Sequence, residues 1–300
     1  MLHRLLAVAL VAAVSTACGS GGSGTSAQTG AATQSSASAG APGTLAGAFA
    51  LPGKSQHVDA KLVASFQGDQ EAKLDLSETQ RPGGALVTNY DTDMTKKLHM
   101  IVISDDLTTF QHVHPTLGPD GHFTIDLKVP AAGGYHVYAD GVPHGDGQQV
   151  FRFDVPFGNT LSNAPNLTAT PATVQAGPYT VKLSTLQLNS GESTMLVARL
   201  TKRGQPAQDL QPYLGGAAHA VFINAKDYSY IHVHPTQGTD MVKMDAMNGM
   251  GGMKELPDNG KVNPVLMLHV VAPEAGTYKL WLQFRGGGRL YVAPFVLTAP

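Results

Sequence analysis

The sequence HVHPT occurs twice in this chain, at residues 112–116 and again at residues 232–236. One more histidine precedes each copy at the same distance, His99 in the first copy and His219 in the second. Every residue of the second pattern therefore lies 120 places after its counterpart. Two copies of one histidine pattern with unchanged spacing indicate a repeated structural unit that carries a repeated site.

The repeat continues beyond the histidines. VPAAGGY at residues 129–135 resembles APEAGTY at residues 272–278, but the offset between these two segments is 143 places rather than 120. The second copy therefore holds an insertion of 23 residues after its HVHP motif. The total length of 300 residues is sufficient for two domains.

The folded part of the chain has the pattern of an all-β protein. Short runs rich in Val, Ile, Leu, Tyr and Phe alternate with clusters of Gly, Pro, Asp and Asn, and no long amphipathic helix is visible. This pattern predicts two tandem antiparallel β-sandwich domains, immunoglobulin-like or cupredoxin-like, at residues 48–157 and 166–300. A polar, turn-rich linker at residues 158–165 joins them.

A hairpin brings the first three histidines together. Residues 98–104 read as one strand and residues 110–114 as the returning strand, so His112 and His114, two apart, share a face. A two-residue loop at 105–106 would place His99 opposite His112, and His114 would lie one diagonal step away. A four-residue loop either keeps this pairing or shifts it by two in the sum of opposing residue numbers. All three imidazoles are therefore expected on one face with either loop.

Three imidazoles on one face suit Cu(II) or Zn(II). The sequence thus predicts two metal sites, the first formed by His99, His112 and His114, and the second by His219, His232 and His234. The alternative is that these are buried, hydrogen-bonded core histidines without a ligand. Whether the two clusters are separate or form one shared site is left open by the sequence. Four further histidines are expected in turns or at the surface, as auxiliary ligands at most: His122, His136, His144 and His269.

The insertion carries five methionines at intervals of three residues, a period that matches neither a helix nor a strand. Such a segment, at 241–253, is expected to form an exposed loop. Thioether sulfur is a soft ligand that favours Cu(I), so the loop is predicted to capture copper. Alternatives are a linker of biased composition, a sacrificial oxidation site or an adaptable apolar contact surface. The candidate ligands are Met241, Met244, Met247, Met250 and Met253.

The N-terminus is predicted to direct export. Residues 1–18 resemble a bacterial lipoprotein signal peptide with Cys18 as the lipidated residue, and an ordinary secretory signal is the alternative. Residues 19–47 consist of Gly, Ser, Ala, Thr, Gln, Pro and one Leu, which predicts a flexible tether. We therefore expect an exported protein anchored to the outer face of the cytoplasmic membrane, or a periplasmic or outer-membrane lipoprotein.

Composition excludes several classes of function. Cys18 is the only cysteine, which excludes blue-copper, iron–sulfur and cysteine-based zinc sites. A net charge of −2 without a basic run argues against nucleic-acid binding. We see no paired carboxylates, no G-x-S-x-G, no H-E-x-x-H and no P-loop, so an enzyme is not expected.

Two motifs carry a family resemblance. LHMIVI at 98–103 followed by FQHVHP at 110–115 resembles a group of largely uncharacterised bacterial exported proteins. DLQPYLG at 209–215 followed by YIHVHP at 230–235 looks like the partner unit of that group. The resemblance covers most of residues 85–300 and implies immunoglobulin-like β-sandwiches. A looser likeness, in composition and compartment, is to periplasmic copper-resistance β-sandwich proteins.

Taken together, these features predict a membrane-tethered, non-catalytic metal-binding protein. Copper is the expected ion and zinc the alternative, and the ion would be sequestered or handed to another copper-handling protein. A non-catalytic immunoglobulin-like envelope or interaction protein with structural histidines is the second hypothesis. A metalloenzyme with a three-histidine centre is the third.

Overall fold

A computed structural model describes residues 43–158, 164–165, 167–237 and 255–300 of the chain. All regular secondary structure in these residues is β-strand, and every pair of neighbouring strands in the sheets runs antiparallel. The prediction of an all-β protein with tandem antiparallel domains is therefore confirmed.

The first repeat consists of eleven strands in two sheets. The sheet that we call outer has the order β1-β3-β4-β9-β8, and the inner sheet has the order β2-β11-β10-β6-β7, with β5 beside β10. The strands are β1 (Gly43–Ala46), β2 (Ala48–Phe49), β3 (Val58–Phe66), β4 (Glu71–Gln80), β5 (Tyr90–Asp91), β6 (Leu98–Ser104), β7 (Phe110–Val113), β8 (Thr116–Leu117), β9 (Phe123–Lys128), β10 (Gly133–Pro143) and β11 (Gln149–Phe157).

The second repeat has the same plan. Its outer sheet has the order β12-β13-β14-β20-β19 with β15 beside β14, and its inner sheet has the order β16-β21-β17-β18 with β22 beside β21. The strands are β12 (Thr173–Ala176), β13 (Tyr179–Leu183), β14 (Ser193–Lys202), β15 (Gln205–Pro206), β16 (Leu210–Gln211), β17 (His219–Asn224), β18 (Tyr230–Val233), β19 (Thr236–Gln237), β20 (Val265–Val271), β21 (Gly276–Gly286) and β22 (Arg289–Ala299).

Each repeat is a sandwich with its own core. In the outer sheets buried and exposed residues alternate, as they do along β3 and β14, because one face packs inward and the other meets solvent. In the first repeat Leu62 and Leu74 of the outer sheet join Val137 and Phe153 of the inner sheet in one apolar cluster. An equivalent cluster fills the second repeat.

A third apolar core lies between the two inner sheets. All but the last residue of β6 and all of β17 are buried, so these strands are covered on both faces. Two stacked aromatic pairs cross this contact, Phe110 with Trp281 at 5.2 Å between ring centroids and Tyr138 with Tyr230 at 4.8 Å. The offsets of 120 and 143 places make these two pairs equivalent, so the repeats face each other through matching surfaces.

The folded part begins earlier than the sequence predicted. Strand β1 pairs with β3 although it lies inside the segment 19–47 that was predicted to be a flexible tether. Its stability comes from main-chain hydrogen bonds and from half-buried Leu45, neither of which leaves a clear hydrophobic pattern. At Gly47 the chain crosses from the outer to the inner sheet, and a side chain there would come within 2.9 Å of the ring of Phe153.

Several sequence predictions fall on residues that the structure does not describe. The signal peptide at 1–18 with its lipidation site Cys18 lies outside the described residues, as do residues 19–42 of the tether and the centre of the 158–165 linker. Within the described ranges, no helix has the length and hydropathy to span a bilayer.

Replacing Trp281 tests the contact between the repeats. Trp281→Ala removes a 3% exposed side chain from the third core, and we expect it to lower the free energy of unfolding by roughly 3–5 kcal/mol. Urea unfolding followed by circular dichroism measures the change. The control is Leu290→Ala, whose side chain is exposed, with an expected change within about 0.5 kcal/mol. Equal small effects of both substitutions would contradict a packed contact between the inner sheets.

Candidate metal centre

The four histidines of the two HVHP motifs and the two that precede them, His99 and His219, lie on the β6–β7 hairpin and on its counterpart, β17–β18. Ile101 pairs with His112, so His99 lies in line with His114 and not opposite His112 as the two-residue loop predicted. The connection from 105 to 109 is longer than two residues and shifts the pairing by one pair. The numbers of opposing residues therefore sum to two more than for a two-residue loop. Because this change is even, the histidines stay on one face of the hairpin. In the second hairpin Val221 pairs with His232 in the same register.

The two hairpins bring all six rings into one place. The rings of His99 and His219 are 5.9 Å apart between centroids, those of His112 and His219 are 5.1 Å apart, and those of His99 and His232 are 5.5 Å apart. Five rings are buried and His114 is half-buried. The sequence left open whether the two trios are separate, and the structure brings them into a single group, which we call the histidine cluster: His99, His112, His114, His219, His232 and His234.

Backbone carbonyls hold the first histidine of each pattern. The Nε2–H group of His99 donates to the carbonyl of Asp93 at 2.9 Å, and that of His219 donates to the carbonyl of Tyr213 at 3.0 Å. A carbonyl can only accept, so each ring carries its proton on Nε2 and a free lone pair on Nδ1. Neither carbonyl was predictable from the sequence, because a backbone group has no signature in the residue type.

These carbonyls are presented by two equivalent tight turns. Asp93 and Lys96 exchange two backbone hydrogen bonds, and Met94 and Thr95 between them have φ values of 44° and 69°. Positive φ at both central positions defines a type I′ turn, which normally uses Gly or Asn. Two such non-glycine residues cost about 1 kcal/mol or more each, a strain that is typical of functional sites.

Side chains from the opposite repeat hold the next histidine of each pattern. The Nδ1–H of His112 donates to Oε1 of Gln283 at 2.9 Å, and the Nδ1–H of His232 donates to Oδ2 of Asp140 at 3.3 Å. Asp140 and Gln283 are 143 places apart and occupy equivalent positions of β10 and β21. Each repeat therefore orients a histidine of the other, and both rings keep a lone pair on Nε2.

The ring nitrogens that remain face one another. Nδ1 of His99 lies 2.9 Å from Nε2 of His112, which lies 3.2 Å from Nε2 of His114. Nδ1 of His219 lies 3.4 Å from Nε2 of His232. Four ligands at about 2.05 Å from a tetrahedral ion are about 3.3 Å apart, so these spacings suit a metal ion bound between the rings. Two trios have ligand atoms within 4.8 Å of one another: His219, His232, His234 and His99, His112, His219.

His234 has no other use for its polar atoms. Both ring nitrogens are buried, and neither hydrogen-bonds to any residue that the structure describes. A buried polar group without a partner costs about 1–3 kcal/mol, so stability alone gives no reason to keep an imidazole there. A histidine with a purely structural role would be expected to hydrogen-bond, as His99 and His232 do.

Burial keeps the cluster in the form that binds metals. Loss of hydration lowers the pKa of His99 to about 4 and that of His114 to about 3, and neighbouring histidines add to the effect. The same causes hold the pKa values of His112, His219 and His234 well below the usual range. These rings are therefore neutral at pH 7, which is the state that coordinates metal ions.

Asp140 is a buried carboxylate with several donors. Burial alone would raise its pKa, but the hydrogen bonds from His232 and Gln148 together hold the pKa below its ordinary value. The hydroxyl of Tyr230 also donates to Oδ2 at 3.0 Å. The sequence does contain a signal that could have identified Asp140. Aligning the two repeats at an offset of 143 places matches Asp140 with Gln283, and each is a polar residue within an apolar strand.

The remaining histidines have partners of their own. His122, His144 and His269 bond to Asp75, Asp91 and Ser193 at distances of 2.6–2.9 Å, in positions that are partly or fully exposed. His136 differs from the expectation of a turn or surface residue. It is 8% exposed because its strand, β10, packs against the second repeat, where its ring lies 3.9 Å from that of Tyr228.

An acidic cavity of about 650 Å³ lies beside the histidine cluster. Its lining includes four carboxylates and one cation, Lys54, and none of the six cluster histidines. It adjoins the cluster through Gln148, the donor to Asp140, and through Asp93, whose carbonyl holds His99. Burial, followed by the charge of Asp140, raises the pKa of Asp93 to about 6. A cation near the cluster would meet a negative field on this side. The carboxylates belong to Asp91, Asp93, Asp146 and Glu255.

The predicted methionine ligands lie outside the described residues. The chain leaves the described part after Gln237 and returns at Glu255. Oε1 of Glu255 accepts a hydrogen bond of 2.9 Å from the amide of Thr95, and the amide of Leu256 donates to the carbonyl of Gly215. Glu255 and Leu256, the first described residues after Met241, Met244, Met247, Met250 and Met253, therefore contact the two turns that hold His99 and His219.

Comparison with known proteins places the chain in a family without an assigned activity. The family described as Domain of unknown function (DUF8832) matches residues 54–158 and 172–300, and the chain belongs to it. The two matched segments correspond to the two sandwiches, in agreement with the internal repeat. No curated protein matches the chain.

Substitution of His234 separates a ligand from a structural residue. His234→Leu replaces an unbonded buried imidazole by an apolar group of similar size, and we expect the metal-free protein to keep its stability or to gain about 1 kcal/mol. The matched control is His232→Leu, two residues away, which strands the buried carboxylate of Asp140 and should cost roughly 3–5 kcal/mol. Urea unfolding in the presence of a chelator measures both. A loss at position 234 as large as that at 232 would contradict a ligand role for His234.

Proposed function

We propose that this member of the DUF8832 family binds a transition-metal ion at the histidine cluster and that copper is its principal metal. The observation that carries the proposal is the direction of the ring nitrogens. Four outer nitrogens donate to acceptors, while the inner nitrogens of the same four rings face one another in pairs, at 2.9 Å and 3.4 Å, with free lone pairs. Histidines that bind metals are typically held in this way by a carbonyl or a carboxylate on the far nitrogen.

The ligand set favours copper and leaves zinc as the alternative. Imidazole nitrogen suits both ions, and no thiolate is available in the two domains. The methionine segment shifts the balance, because thioethers select Cu(I) whereas zinc rarely uses them. The described residues that follow this segment, Glu255 and Leu256, contact the turns of His99 and His219.

The proposed role is to hold and transfer copper outside the cytoplasm, without catalysis. The lipoprotein-like N-terminus supports a membrane tether, and the acidic cavity supports access of a cation from solvent. A second copper-handling protein would receive or supply the ion. No nucleic acid is involved in this proposal.

One observation favours a second candidate function. Five of the six rings are buried, as expected if the histidines only joined two sandwiches of an envelope or interaction protein. Against this candidate stand the unbonded nitrogens of His234 and the facing lone pairs, which destabilise the cluster unless a cation or a proton lies between them.

Metal titration tests the proposed function. Calorimetry and elemental analysis with Cu(I), Cu(II) and Zn(II) should give sub-micromolar binding of at least one ion. Affinity should fall by about 100-fold or more in a variant that loses four of the ligands. Deletion of residues 241–253 should weaken Cu(I) binding alone. The four changes are His112→Ala, His114→Ala, His232→Ala and His234→Ala.

The control variant loses histidines outside the cluster and should bind as the unaltered protein does. Absence of binding by the unaltered protein would overturn the proposal and favour structural histidines. Equal loss of binding in the control and the cluster variant would place the ligands elsewhere. The control changes are His122→Ala, His144→Ala and His269→Ala.

A further inference from the structure

The histidine cluster is largely symmetric, but one difference changes its charge. The hairpin registers, the carbonyl partners and the stacked aromatic pairs all repeat between the two halves. At the equivalent positions 140 and 283, however, the first repeat has a carboxylate and the second has a neutral amide. Each of these groups accepts the proton of a candidate ligand in the opposite repeat.

This difference divides the cluster into two halves. The carboxylate half has Asp140 behind His232 and comprises His219, His232 and His234, all of which are buried. The amide half has Gln283 behind His112 and comprises His99, His112 and half-buried His114, whose Nε2 lies 3.2 Å from that of His112. His219 lies between the halves, since its ligand atom is within 4.8 Å of those of His99 and His112 as well as those of His232 and His234. The unbonded nitrogens of His234 belong to the carboxylate half.

A carboxylate and an amide affect a bound cation differently. A carboxylate behind an imidazole raises the basicity of the ring, and its negative charge is poorly screened in a buried site. The attraction of that charge is twice as large for a divalent ion as for a monovalent one. The amide of Gln283 fixes the ring of His112 but contributes no net charge, so it does not discriminate by ionic charge.

The surroundings of Asp140 preserve its charge. Asp140 is 3% exposed and accepts hydrogen bonds from Tyr230 at 3.0 Å and from Gln148 at 2.8 Å in addition to that from His232. Donors of this kind stabilise an ionised carboxylate in a buried position. The charge is therefore fixed in direction behind one ring of the cluster.

We infer that the two halves are non-equivalent sites: the carboxylate half is the selective site for a divalent cation and fills first, and the amide half accepts monovalent Cu(I). This inference rests on the proposed function and extends it to a specificity-determining pair, Asp140 and Gln283. The two residues act through His232 and His112 and are positioning residues, not ligands. The protein would thus hold both redox states of copper side by side.

A pair of isosteric substitutions tests the inference on the whole chain with Zn(II) and Cu(I) as separate probes. Asp140→Asn should weaken binding of the first Zn(II) by about 10–100-fold and change Cu(I) affinity by less than about threefold. Gln283→Glu should strengthen the second Zn(II) by about tenfold or more and reduce the preference of the amide half for Cu(I). The readout is the ratio of the Zn(II) affinity to the Cu(I) affinity, because a merely structural effect of the substitution would lower both affinities.

The outcomes separate the inference from the proposed function. If neither variant changes the ratio of Zn(II) to Cu(I) affinity while the unaltered protein binds metal, the inference is overturned and the proposed function stands. If the unaltered protein binds neither ion, both are overturned. Circular dichroism checks that each variant is folded. If Asp140→Asn does not fold, Gln283→Glu alone decides, since an unchanged second Zn(II) affinity in that variant refutes the inference.

Discussion

The packing of two inner sheets against each other is the constraint on which the rest of the structure depends. It buries both faces of β6 and β17, so every polar side chain on the shared face must find a partner within the contact or remain unsatisfied. Six imidazoles stand on that face. Backbone carbonyls, Asp140 and Gln283 satisfy the outer nitrogens of four of them. The inner nitrogens have mainly one another, and His234 has no described partner. Apolar packing and two aromatic pairs offset the cost of this polar group at the centre of the contact.

Much of the fold was predictable from the sequence because the chain repeats itself. Period-two patterns and turn residues indicated antiparallel strands, and the unchanged spacing of HVHPT indicated two equivalent units. Strand β1 was missed because a short edge strand of small residues is held by main-chain bonds. The sequence did not decide the pairing of His99, because the register depends on the length of the turn at 105–109 and the structure has the longer of the two loops considered.

The candidate site was predictable in its residues but not in its assembly. All six histidines came from the repeated pattern, and hairpin parity placed each trio on one face. Their union into a single cluster depends on how one sandwich packs against the other, which no local pattern encodes. For the same reason the crossed partnership of Asp140 with His232 and of Gln283 with His112 was not foreseen. The carbonyls of Asp93 and Tyr213 depend on type I′ turns whose first central residues, Met94 and Leu214, are not usual turn formers.

The most direct test of a metal centre between the repeats is anomalous X-ray diffraction from crystals of the protein loaded with copper or zinc, measured at the absorption edge of the metal. The account predicts an anomalous peak between the inner sheets, within about 2.0–2.1 Å of imidazole nitrogens that include His232 and His234. Peaks confined to surface residues such as His122 or His144, with the histidine cluster unchanged from its metal-free form, would contradict it.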